Sequence, residues 1–168
     1  MKRTIYLITL LLTASLFTQT LSAQGKAAEA KKYFATTLST KAVMDLIKTS
    51  LPTREECALV FSGENADTYY KMVQDVSAKL ATEQVHNNEN FVDNTIESFT
   101  TEDVIAGKGN YAGGMKNIES RLKPNVVFYK LELLREKGAT SGMAYKYWVF
   151  VNNRWIYLPK PWSAFKQG

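Results

Sequence analysis

The sequence predicts an α+β domain, with N-terminal helices packed on a curved, mostly antiparallel β-sheet. Three observations carry this. Apolar residues recur at helical spacing through the first half of the chain. The last third is rich in β-branched and aromatic residues instead. Within it, Asn152-Asn153 separates two such runs, and a pair that tolerates positive φ marks a two-residue hairpin. With residues 1–23 set aside as an export segment, residues 24–168 make a single domain, long enough to bury about 68–70% of its unfolded surface.

The export segment has the three parts of a signal peptide. Lys2 and Arg3 supply positive charge, and Ile5 to Phe17 form an apolar run. That run is too short to span a bilayer, which takes roughly 20 apolar residues. A polar stretch, Thr18 to Ser22, leads to Ala23, and cleavage there leaves Gln24 as the new terminus. Leu21 is larger than the small residue usual two positions before the cut. No Cys stands at the end of the run, so the lipid-anchor route is closed. The expectation is an exported protein, periplasmic or secreted after cleavage, without stable membrane insertion.

The elements follow in order. Ala30, Phe34 and Leu38 share one helical face, and Val43, Ile47 and Leu51 repeat the spacing after a break at Ser39-Thr40. Pro52 stops the chain. Thr53 and Glu56 stand as the N-cap and N3 of a capping box, opening a helix whose apolar face holds Cys57, Val60 and Phe61. Gly63 ends it. A longer helix runs from Asn65 to Leu80 with Tyr69, Val73, Val76 and Leu80 inward. Asp67, Lys71, Asp75 and Lys79 form a charged solvent face of alternating sign. Gln84 to Asn94 is polar and reads as a loop or the approach to a hairpin. A strand is expected at Thr95 to Phe99, a capped helical turn from Thr100 and Asp103, a mobile glycine-rich loop over Gly107 to Gly114, and a short helix from Met115 to Leu122. Val126 to Leu134, Met143 to Val151 and Arg154 to Leu158 read as strands. After Pro159, Trp162 and Phe165 are expected to fold back as a plug.

The hairpin sets its own register: Val151 opposite Arg154, Phe150 opposite Trp155, Val149 opposite Ile156, Trp148 opposite Tyr157 and Tyr147 opposite Leu158. One side then carries Tyr147, Val149, Val151, Ile156 and Leu158. The other carries Trp148, Phe150, Trp155 and Tyr157. Both sides are apolar, whereas a half-exposed hairpin has only one apolar side. Either helices cover both, or one side lines a pocket or an interface. The aromatic set Trp148, Phe150, Trp155 and Tyr157 is therefore the candidate ligand-binding surface, expected to open as a concavity containing Trp148 or Trp155. Rings that merely fill a concave sheet are the competing reading.

Composition narrows the function classes. The formal charge of +5 falls to +3 without the export segment, which holds two of the 21 basic residues and none of the 16 acidic ones. The basic residues are scattered, so no nucleic-acid partner is expected. Cys57 alone forms no internal disulfide and sits on an apolar face. His86, the only histidine, lies in a polar stretch, and neither Cys57 nor any Ser stands in a nucleophile motif, so no catalytic residue is assigned. No metal and no cofactor are expected. Gly107 to Ala112 matches G-x-G-x-x-A, but no long helix follows, as a dinucleotide fold requires.

The order of elements, helices, a strand, a short helix and then a meander of strands, resembles the nuclear transport factor 2-like superfamily. That resemblance implies a cone-shaped α+β fold with a pocket between helices and sheet. Its catalytic members place an Asp–His or Asp–Tyr pair in the cone, and no residue is carried over here. The tail Arg154-Trp155-Ile156-Tyr157-Leu158-Pro159-Lys160-Pro161-Trp162 looks like the ending of small exported bacterial proteins. The leading expectation is a non-catalytic exported domain binding a small molecule or peptide. A hydrolase or isomerase of the superfamily's type and a homodimeric interaction module are the alternatives.

Overall fold

The computed structural model describes residues 26–82 and 91–165. Residues 1–25, which include the stretch expected to be an export segment, His86, most of the polar stretch before the first strand, and residues 166–168 lie outside them. Helix α1 covers 26–38. It is followed by α2 (Val43–Thr49), α3 (Arg54–Val60) and α4 (Asn65–Thr82). Strand β1 (Asp93–Thr100) leads into α5 (Thr101–Ala106) and a 3-10 helix, Gly113–Arg121. Strands β2 (Val127–Leu134), β3 (Met143–Val151) and β4 (Arg154–Tyr157) follow, and a second 3-10 helix spans Pro161–Phe165. The sheet is open, antiparallel throughout and ordered β1-β2-β3-β4. The chain is a single α+β domain.

Local chemistry explains the helix ends. Both capping boxes form: Thr53 with Glu56 at α3, and Thr100 with Asp103 at α5. Each satisfies two backbone donors that a helix start leaves open. Gly107 closes α5 at φ 68°, a left-handed position that glycine takes without steric cost. Asp67 does not join the expected ladder along α4. Its carboxylate is held by Arg54 of α3 at 2.7 Å, so the charge ties two helices together.

Two expectations over the middle of the chain change. The strand extends two residues earlier than Thr95. The glycine-rich loop ends at Ala112, because Gly113 and Gly114 already belong to the 3-10 helix. Gly114 is there for space: a Cβ on it would overlap the Trp162 indole. Trp162 also meets Tyr147 edge-on, and Phe165 packs on Phe61. The tail is a plug, as its two aromatic residues suggest.

Helices cover both faces of the sheet, and each face has its own core. The first gathers Cys57, Val60 and Phe61 of α3, Tyr69 and Val73 of α4, Val104 of α5, and Phe99, Phe128, Tyr147, Val149 and Ile156 of the sheet. The second gathers Ala30 and Phe34 of α1, Leu46 and Ile47 of α2, Leu80 of α4, and Tyr129, Leu131, Leu133, Trp148 and Trp155. A bulge makes this division work. Lys130 pairs with Lys146 while Tyr129 pairs with Trp148, so Tyr147 is an extra residue on β3. Without it, Tyr145 and Tyr147 would share a face. With it, Tyr145 packs toward the second core and Tyr147 enters the first.

Candidate binding site

The hairpin adopts the register read from its residues. Trp148, Val149, Phe150 and Val151 face Tyr157, Ile156, Trp155 and Arg154, and Tyr147 and Leu158 exchange both backbone hydrogen bonds at 3.1 and 2.7 Å. Asn152 and Asn153 hold φ of 49° and 59°, the doubly left-handed turn whose twist suits a hairpin. Arg154 anchors the tip. Its Nε donates to Glu56 Oε1 at 2.7 Å and its second guanidinium nitrogen donates to Leu51 O at 2.8 Å. Glu56, almost wholly buried, thus serves both the α3 cap and the hairpin.

The four aromatic candidates do not share one environment. Trp148 is fully buried beneath Phe34 of α1, ring centroids 4.7 Å apart. Its indole Nε1 has no hydrogen-bond partner, and its ring is held by the packing of Phe34 and Tyr157. Trp155 is 7% exposed, ringed by Phe34, Tyr129, Phe150 and a stacked Tyr33. Tyr157 is half-buried against Trp148, and burial pushes its phenol up to about 12. Only Phe150, half-buried, stands between two openings, one of which Trp155 also lines. Helix α1 supplies the reason. Its Ala30–Phe34 face lands on this side of the hairpin and closes it, a contact between segments more than a hundred residues apart.

Two openings flank Phe150. The first is a cavity of about 360 Å³ between the start of β2 and the end of β3, walled by Val126, Val127, Val149, Phe150 and Val151. Tyr129, Thr100 and Asn125 add polar atoms, and Lys26 and Glu102 add one charge of each sign. The Lys26 ammonium lies 4.2 Å from the Phe150 ring centre, a cation–π contact. The second is a cleft of about 320 Å³ lined by Tyr33, Lys41, Phe150, Arg154 and Trp155 among others. Of the two residues expected in a concavity, Trp148 lines neither opening, and Trp155 lines the second cleft but not the first cavity.

Sequence reasoning found Phe150 and Trp155 but missed Val127, Lys26 and Glu102. These come from three other segments, and no local pattern marks their convergence. Buried Tyr129 has its phenol raised to about 12, chiefly by burial with Glu29 adding, so it remains a neutral donor at the cavity. Among the described residues, no group of three or more His, Cys, Asp or Glu could hold a metal ion, and no helix is long and apolar enough to cross a membrane. No protein-family model matches the chain, and no curated protein or solved structure matches it.

Proposed function

We propose that this is an exported, non-catalytic binding domain that holds a small ligand or peptide at the hairpin end of its sheet, around Phe150. The observation that carries the reading is the cavity beside Phe150. Its volume of about 360 Å³ falls within the roughly 300–1,000 Å³ of small-molecule sites. Its walls are valine-rich with a few polar groups at the mouth, the usual division between affinity and orientation. Of the aromatic set, Phe150 meets the ligand, Trp155 packs against Phe150 and lines the neighbouring cleft, and Trp148 and Tyr157 lie behind. Export rests on the pattern of residues 1–23, and the nuclear transport factor 2-like resemblance belongs to the same proposal, supported by the order of elements.

The test is a dye with apolar rings and one negative charge, suited to valine walls and Lys26. 1-Anilinonaphthalene-8-sulfonate is expected to brighten on the native protein while its near-ultraviolet circular dichroism stays intact. Val151→Trp, which fills the cavity from a half-buried position, should remove most of that signal. Equal brightening with the Trp variant, or none with the native protein, overturns the reading.

A further inference from the structure

The cavity beside Phe150 is a split in the sheet. Strands β2 and β3 pair from Leu133 opposite Met143 to Tyr129 opposite Trp148, and no further. Continued, that register would place Phe128 opposite Val149 and then Val127 opposite Phe150; instead Val127, Val149 and Phe150 line the cavity. Hydrogen-bonding direction follows from the neighbouring strands. Tyr147 and Leu158 exchange both bonds, so Val149 and Val151 also direct their backbone groups to β4. Phe150, in the alternate position, directs its N–H and C=O toward β2. On the other wall, Thr101 N donates to Val126 O at 3.0 Å, which makes Thr100 and Val127 the non-hydrogen-bonded pair. Val127 therefore directs its own N–H and C=O toward β3.

Two antiparallel strand edges thus face each other across an apolar slot, each offering one donor and one acceptor. Backbone groups in such a place call for partners. We propose that the slot takes a short apolar peptide in extended conformation, inserted as a strand between β2 and β3. Resting on the binding reading above, this assigns the ligand class of the same site. One strand laid in the gap pairs with both walls, which no compact hydrocarbon does. Strand rise, strand spacing and sheet spacing give roughly 160 Å³ per residue, so the cavity holds about two residues. Val149 and Val151 supply apolar walls, with Leu59 at the cavity's edge. Lys26 and Glu102, of opposite charge on the same opening, match the carboxylate and ammonium ends of so short a peptide.

The experiment titrates ¹⁵N-labelled protein with free Val-Val dipeptide and with the same dipeptide methylated on its peptide nitrogen. The first is expected to shift the Val127 and Phe150 amide resonances. The methylated form should bind about tenfold more weakly, since it lacks the donor for one wall. Equal binding of the two forms, or shifts that spare both amides, overturns the peptide assignment. If 1-anilinonaphthalene-8-sulfonate still occupies the cavity in that case, the binding domain survives and only its ligand class falls. If neither probe shifts a cavity resonance at millimolar concentration, both fall.

Discussion

Gly114 shows how one hydrogen atom in place of a side chain positions the end of the chain. Trp162 lies on that glycine and against Tyr147, and so covers one side of the first core. The indole cannot stay if a methyl group is added beneath it. Gly114→Ala should therefore destabilise the protein by about 1–3 kcal/mol, the usual penalty of overpacking a filled site. Trp fluorescence should move to longer wavelength as the plug lifts. Gly113→Ala is the control, since nothing lies near a Cβ there. Its urea midpoint should match that of the parent or exceed it slightly, because alanine favours helix over glycine by up to about 1 kcal/mol. If both variants behave alike, Trp162 does not depend on that seat. The same economy appears at Glu56, where one carboxylate serves the Thr53 backbone and the Arg154 guanidinium at once.

At the scale of elements, the β3–β4 hairpin rests on a turn that most residues resist. Asn152 and Asn153 both take positive φ, which costs an ordinary side chain about 1–2 kcal/mol and a β-branched one at least that. Asn153→Val should lower stability by about that amount, while Asn153→Gly should raise it by a few tenths. Equilibrium urea unfolding measures both, and an unchanged midpoint for the valine variant would show that the turn is set by the strands instead. This turn, its register and both capping boxes were legible in the sequence because each depends on residues within a few positions. The faces of the aromatic set were legible too, since alternation fixes them once the turn is known. What covers those faces was not. Phe34 reaches Trp148 from the far end of the chain, and periodicity alone places Phe34 inward without naming its neighbour. The bulge at Tyr147 was hidden for a related reason. It shows only in the partner strand, where Lys130 and Tyr129 skip a residue of β3. The end of pairing between β2 and β3, which makes the cavity, is likewise a property of two strands and not of either one.

For the whole molecule, burial of neutral acids on both sides of one sheet predicts an alkaline limit to stability. Burial, with Glu56 nearby, pushes the Cys57 thiol up to about 12. Burial likewise raises Tyr129 and Tyr157 to about 12 and carries Tyr69 well above its ordinary value. In the unfolded chain these groups ionise near their usual values, about 8.5 for Cys and about 10 for Tyr. Between those values and about 12 the folded state binds more protons than the unfolded one, so stability falls as pH rises. Below about pH 8 both states hold these protons and the contribution is fully present. The urea midpoint should accordingly decline from about pH 8.5 and more steeply beyond pH 10, where three tyrosines from both cores join. Cys57→Ala separates the two stages: it should flatten the first decline and leave the second. A midpoint that is level from pH 8 to 11, or a first decline that persists in the alanine variant, would show that these buried groups find water before the fold opens. The sheet leaves them little chance of that elsewhere, since α1 and α2 close one face and α3, α4 and the tail close the other. If a peptide binds in the cavity beside Phe150, as proposed, it should also delay alkaline unfolding of the second core, through Tyr129 on the cavity wall.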